Sequence, residues 1–294
     1  MPKLELSIGC HVSAAGGVWN APKNANDLAC ETFQIFTRPP MGGPAPKLTT
    51  DSIDQFKKEM EKHRFQEFVV HCPYFVNFGS AKPRIYHGSI SVVREELERS
   101  SLLGAKYVMT HLGSAKDLGQ KEAFKQAGQG LKEVLKGYKG SSEFLLEIAA
   151  GAGEVIGDTF EELAELMEGL VKMRGFGGIC FDTQHAFASG YDLRDYKSVA
   201  STFAKFDKVI GLKWLKMSHV NNSKVELGGH KDRHEHIGEG KIGVDGFKAV
   251  FNFLSSRIKD KGLGIKQMPL ILETEHDKVK ADIKILKKLR NQIL

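Results

Sequence analysis

The apolar residues of this 294-residue chain fall into short strand-like runs separated by longer segments of helical period. A first run covers about 4–12, with Leu4, Leu6, Ile8 and Val12, and a second covers 32–37. Further runs occupy 67–70, 105–110, 143–146, 176–181, 212–218 and 269–272. Between them the pattern predicts helices at about 17–29, 51–64, 89–103 and 120–137, another near 195–206, and a last from about 277 to the end. One more helix opens at Thr159, whose spacing to Glu162 matches a capping box, and Leu163, Leu166, Met167 and Leu170 recur on one face. Strand and helix alternate without a linker or low-complexity segment, which predicts a single (β/α)8 TIM barrel over 1–294. Three connections, about 38–50, 72–88 and 220–244, are long enough to build a site over one rim.

The residue closing each run changes the picture from fold to chemistry. From residue 66 onward six runs end in turn on His71, His111, Glu147, Asp182, His219 and Glu273. Parallel barrel strands place their C-terminal ends on one rim, so these side chains should converge. Unpaired, three imidazoles and three carboxylates there would be costly to bury; a metal cluster accounts for them. Two polar runs add donors: Asp182-Thr183-Gln184-His185, and Asp232-Arg233-His234-Glu235-His236 in the long loop after the seventh strand. The ligand types then suffice for about three metals.

Composition narrows the setting. Hydrophobic residues at 41% and charged residues at 27% are ordinary for a globular enzyme. A balance of 42 Lys and Arg against 36 Asp and Glu, net +6, suits a polyanionic partner such as nucleic acid. Cys10, Cys30, Cys72 and Cys180 show no paired spacing and read as reduced thiols, with Cys72 in a packing role on the face opposite His71. No apolar stretch approaches a membrane span and no signal peptide precedes the first strand, so a cytoplasmic protein is expected.

Three dense motifs carry a specific likeness. The runs Gly9-Cys10-His11-Val12-Ser13-Ala14-Ala15-Gly16-Gly17, Asp182 through Asp192, and Asp232-Arg233-His234 through Gly240 resemble the endonuclease IV family of AP endonucleases, in register along the whole chain. The resemblance implies a barrel that carries three zinc ions (Zn2+) and hydrolyses double-stranded DNA on the 5′ side of an abasic site, leaving a 3′-hydroxyl and a 5′-deoxyribose phosphate. It places one zinc on His71, His111 and Glu147, a second on Glu147, Asp182, His219 and Glu273, and a third on His185, Asp232 and His234. His236 is a rival for the third set, and His11 is expected to be a hydrogen-bonded neighbour of the ligands. Glu147 becomes the bridging catalytic carboxylate, with a metal-bound hydroxide as nucleophile and no Ser, Cys or His nucleophile required.

Expected DNA contacts are Tyr74 and Phe75, as a wedge entering the duplex, with Arg38 and Arg233; Phe78 is the alternative buried anchor of that loop. A monomer is expected, with possible 3′-end trimming as a side activity. The chain departs from the family at Ile148, Ala149 and Ala152, where polar residues are usual, at Pro39-Pro40-Met41 after Arg38, and at Asn222, where Asp is common. A sugar isomerase or epimerase of the same barrel superfamily would need only Glu147, Asp182, His219 and Glu273, leaving the other five ligand types unexplained.

Overall fold

The computed structural model describes residues 5–259 and 267–293. Eight parallel strands close into a barrel: β1 (Glu5–His11), β2 (Thr32–Ile35), β3 (Val69–His71), β4 (Tyr107–Thr110), β5 (Glu143–Glu147), β6 (Phe176–Asp182), β7 (Leu215–His219) and, last in sequence, β10 (Gln267–Leu272). Each neighbours its predecessor, and β10 pairs with both β7 and β1 to seal the ring. Between β7 and β10 a two-stranded antiparallel ribbon, β8 (Asn222–Ser223) with β9 (His234–Glu235), stands over the rim. The helices are α1 (Asn20–Asp27), α2 (Thr50–Lys62), α3 (Pro83–Leu103), α4 (Gln120–Leu135), α5 (Phe160–Glu168), α6 (Thr183–Ala188), α7 (Tyr196–Val209), α8 (Gly243–Lys259) and α9 (Val279–Asn291).

Alternation along the strands separates two apolar layers. Val69, Tyr107, Met109, Leu145, Cys180, Met217 and Ile271 fill the barrel interior, while a larger cluster including Leu6, Ile8, Cys10, Phe33 and Leu270 packs strands against helices. Gly9 fits this closure: a Cβ there would lie 1.7 Å from the Thr32 carbonyl oxygen, so only glycine lets β1 and β2 approach.

The elements follow the sequence pattern with instructive differences. α1 begins three residues later than expected because Gly16 and Gly17 take φ of 79° and 140°, outside helical space. α3 begins earlier, with Pro83 in its first turn, so the connection after β3 is shorter than the apolar pattern predicts. Leu212–Trp214, expected as strand, forms one turn of 3₁₀ helix before β7. Thr159 caps α5 by accepting from the Glu162 amide at 3.2 Å, but the Glu162 carboxylate accepts from Gly157 N at 2.7 Å, so only half of the expected capping box forms. α8 supplies the helix before the eighth barrel strand, for which the sequence pattern set no bounds. No helix of the described residues is long and apolar enough to cross a membrane.

Candidate metal centre

The strand ends deliver the ligand types to one rim. His71, Glu147, Asp182 and His219 are the last residues of β3, β5, β6 and β7, while His111 and Glu273 directly follow β4 and β10. Register brings Asp182 abreast of His219. Donor atoms of His71, His111 and Glu147 lie within 4.8 Å of one another, and so do those of Glu147, Asp182, His219 and Glu273. Glu147 is the hub of both sets and is fully buried. Its Oε2 is 3.2 Å from His71 Nε2 and 3.8 Å from His111 Nε2, while its Oε1 is 2.7 Å from His219 Nδ1.

The third group depends on α6, a helix that sequence periodicity did not announce. Asp182 caps it by accepting from the His185 amide at 2.8 Å, which presents His185 to the rim one turn into the helix. His185, His234 and Asp182 have donor atoms within 4.8 Å. Asp232 joins them from the ribbon loop, its Oδ1 lying 3.4 Å from His185 Nε2 and 3.3 Å from His234 Nε2. Of the two carboxylates near this pair, Asp232 is nearer to His234, since Asp182 Oδ2 is 3.9 Å away. His236 turns elsewhere, towards Asp282 and Asp277.

Hydrogen bonds fix which nitrogen of each ring faces inward. His71 Nδ1 donates to the Cys72 carbonyl at 2.5 Å, and His185 Nδ1 donates to the Ile148 carbonyl at 2.9 Å. His219 Nε2 donates to Gln34 Oε1 at 2.8 Å. In each ring the other nitrogen is left as the lone-pair donor that a metal requires. The side-chain change at Ile148 is thus harmless to this contact, because its backbone does the holding.

Gln34 is a residue that the sequence reading missed. Its amide Nε2 donates to Glu273 Oε1 at 2.6 Å and to His11 Nδ1 at 3.0 Å, joining His11, Glu273 and His219 in one network. Burial pushes the His11 imidazole down to about 3, so it is neutral and accepts. Asn221 is the second such residue: its Nδ2 donates to Asp182 Oδ2 at 2.7 Å and its Oδ1 accepts from Glu273 N at 2.7 Å. A polar Gln inside the fully buried β2 was a usable signal; Asn221 offered none.

Electrostatics match a cation-binding cluster. Burial alone would raise the Glu147 carboxyl, yet His111 and His219 hold it well below the carboxylate range. Against the same burial, His219 and the other imidazoles hold Glu273 at about 2. His185 loses charge stability through burial but is driven well above its usual range by Asp182 and Asp232. Cys180 Sγ is 3.7 Å from His219 Nδ1 and groups with it and Glu147, though burial pushes that thiol up to about 12. His185 Nε2 and His234 Nε2 are buried without a hydrogen-bond partner among the described residues. Two aimed, unsatisfied imidazole nitrogens beside one carboxylate fit a metal ion.

The mouth is a cavity of about 320 Å³ lined by His71, His111, His185, Asp232 and His234, with Lys224 and Arg233 at its edge. A neighbouring pocket of about 410 Å³ has an apolar wall of Leu112, Ala149, Ala150, Ala152 and Ile156. Between them stands Tyr74, 58% exposed, with Phe75 40% exposed beside it and Phe78 fully buried as the loop's anchor. The Tyr74 amide donates to the Pro40 carbonyl at 3.2 Å, so the loops after β2 and β3 support each other. Arg38 requires a correction. Its side chain is 5% exposed, with Nε 2.6 Å from Glu96 Oε1 and Nη2 2.7 Å from Glu95 Oε2. A guanidinium engaged by two carboxylates is drawn towards α3 rather than held out over the rim. Arg233 is exposed, its Nη1 donating to the Asp232 carbonyl at 2.6 Å.

Comparison with known proteins agrees with this geometry. Residues 22–289 match the xylose isomerase-like TIM barrel family. A probable endonuclease 4 of Nitrosopumilus maritimus (strain SCM1) is 37% identical over 287 residues, covering 97% of this chain and 99% of that protein. One from Campylobacter concisus (strain 13826) is 38% identical over 291 residues, covering 98% and 99%. The crystal structure of endonuclease IV from Thermus thermophilus superposes with a TM-score of 0.83 at 29% identity, covering 97% of this chain and 99% of that one. A D-tagatose 3-epimerase-like protein shares the fold at 20% identity and a TM-score of 0.74. With relatives this similar over nearly their full length, the chain belongs to the endonuclease IV family of AP endonucleases, metal-dependent enzymes that hydrolyse DNA.

Proposed function

We propose that the enzyme hydrolyses the phosphodiester on the 5′ side of an abasic site in duplex DNA with three zinc ions, leaving a 3′-hydroxyl and a 5′-deoxyribose phosphate. His71, His111 and Glu147 would hold one ion, Glu147, Asp182, His219 and Glu273 a second, and His185, Asp232 and His234 a third. The single observation that carries this reading is the division of Glu147: one carboxylate oxygen faces His71 and His111 while the other faces His219. A carboxylate so divided suits a bridge between two ions. When bound, such ions activate water near neutral pH and neutralise the charge that builds on the departing 3′-oxygen.

The protein's own groups do the rest. Gln34 and Asn221 hold Glu273, Asp182 and His219 in orientation, and no side chain need attack phosphorus. Arg233 and Lys224 edge the cavity with positive charge suited to flanking phosphates. Tyr74 and Phe75 stand proud of the rim, where apolar side chains can fill the gap left by a missing base. Extruding a baseless sugar sacrifices little stacking, so recognition rests on the ease of deformation. The same cluster suits removal of blocking groups from 3′ ends. We place the enzyme in the cytoplasm as a monomer.

The test is incision of a duplex with one abasic site beside an intact duplex, with end-group analysis of both fragments and elemental analysis of the protein. The reading expects a 3′-hydroxyl, a 5′-sugar phosphate and about three zinc per chain. A 3′-unsaturated aldehyde would replace hydrolysis by elimination, and one metal per fully active chain would overturn the trinuclear assignment.

A further inference from the structure

We propose that Cys10 and Cys30 form a reversible dithiol–disulfide pair, a modification site on the outer layer of the barrel. Their sulfurs are 3.6 Å apart, both as free thiols. Cys10 lies on β1 with its side chain in the helix-facing core, and Cys30 sits in the turn between α1 and β2, partly open to solvent. The other two cysteines are placed differently. Cys72 and Cys180 are fully buried, and Cys180 Sγ lies 3.7 Å from His219 Nδ1 in the barrel interior.

The backbone around the pair is pinned from both sides. Glu31 N donates to the Ile8 carbonyl at 2.8 Å, and Ile8 N donates to Glu31 Oε2 at 2.9 Å. Arg290 from α9 grips the same carboxylate at 2.6 and 3.0 Å, and Lys287 donates to the Ala29 carbonyl at 2.7 Å. Cys10 and Cys30 each lie within two residues of these ties. Bonding needs the sulfurs to close to about 2.05 Å, a shift of about 1.6 Å that two side chains can share.

The two thiols are unequal in a way that sets the order of steps. The hydrogen bond from Cys10 pushes Cys30 down against its partial burial, with Lys287 assisting, while Cys30 and burial push Cys10 up. The partly accessible Cys30, as its thiolate, attacks a small-molecule disulfide, forming a mixed disulfide and expelling one thiolate. Cys10 then attacks Cys30 Sγ and passes its proton to the departing sulfur, which leaves as the second small-molecule thiol. Two protein thiols are oxidised and one disulfide is reduced to two thiols. The bridge ties β1 to the turn before β2, the strand pair that carries His11 and Gln34, but it lies on the opposite face from them. It therefore stabilises the barrel and leaves the metal cluster unaltered.

The test exposes the metal-loaded protein to oxidised glutathione and counts free thiols after denaturation. We expect two of the four thiols to disappear, a cross-linked peptide pair containing Cys10 and Cys30 that dithiothreitol separates, a melting temperature higher by about 5 °C, and an unchanged incision rate. Cys30→Ser should abolish both the thiol loss and the melting shift. Four free thiols, a lasting glutathione adduct on Cys30, or the same shift in Cys30→Ser would each overturn the pairing.

Discussion

Asp282 Oδ2 accepts a hydrogen bond from His236 Nδ1 at 2.7 Å, and through that contact helix α9 reaches the metal-bearing loops. The same oxygen accepts from Thr274 Oγ1 at 2.8 Å, and Oδ1 accepts from Ile237 N at 2.9 Å. Thr274 follows Glu273, and His236 lies two residues after His234. One buried carboxylate therefore sets the spacing between the segment holding Glu273 and the ribbon loop holding Asp232 and His234. It also explains why His236, despite its place in a ligand-rich run, faces away from the cluster.

Replacing Asp282 with Ala should leave three donors unpaired in the interior. We expect a stability loss of about 3 kcal/mol and a fall in bound metal of about one ion per chain, with the first two sets still loaded. Thermal melting and elemental analysis read these separately. Full metal content at reduced stability would show that Asp282 serves packing alone.

The six candidate ligands on the rim were legible because each closes an apolar run, and parallel strands bring such ends together. The residues orienting them were not, because a second layer is defined by position in space. Asp282 is 46 residues from His236, and nothing in its helical context marks it. α6 was hidden for a different reason: at six residues it is too short for a period, and its cap, Asp182, is also a ligand candidate. Arg38 was read as solvent-facing because a basic residue at the head of a long loop looks the same whether it faces solvent or a buried Glu96 on α3.

Acid and base should act in opposite ways on the chelated and the loaded protein. His71, His185 and His219 are buried, which lowers them, but their neighbours raise them above their usual range: carboxylates at His71 and His185, Cys180 and then carboxylates at His219. Their stabilisation is fully present below about 6.5 and is lost as pH climbs through the raised values. His11, pushed down to about 3, and His111, also lowered, penalise acid below about 6.5. Glu273, at about 2, adds stabilisation that is present above about 4.5 and fades as pH falls towards 2. Chelated protein should thus melt highest near pH 6–7 and lose stability towards pH 9. Metal replaces those protons, so loaded protein should hold or gain stability over the same rise. Parallel melting profiles with and without chelator would sink this account.

Arg38→Met should damage the fold and spare DNA binding. Glu96 is fully buried and takes Arg38 Nε at 2.6 Å and Thr37 Oγ1 at 2.6 Å, with Arg99 Nε 3.7 Å away. Removing one cation leaves much of that charge uncompensated, a cost of about 3–5 kcal/mol. Denaturant unfolding should show that loss, while affinity for abasic duplex at a temperature where the variant is folded stays within about twofold. A salt-dependent fall in affinity without a stability change would return Arg38 to the DNA interface.

Tyr74→Ala with Phe75→Ala tests the wedge. The Tyr74 ring meets Phe36 edge-on at 5.3 Å and His71 at 5.8 Å, so it is propped beside the cluster rather than free to swing. Its loop is anchored independently, by buried Phe78 and by Asn77, whose Oδ1 accepts from Gly79 N and Ser114 N at 2.9 and 3.1 Å. Truncating two exposed rings should therefore leave the melting temperature within about 2 °C. Losing a stacking or wedge contact is worth roughly 1–3 kcal/mol per ring, so with both rings gone cleavage of abasic duplex should fall by about 30-fold or more. Hydrolysis of a small phosphodiester, which has no stack to enter, should change less than about threefold, because the ligands and their partners are untouched. Equal losses on both substrates would mean that the rings support His71 instead of the duplex.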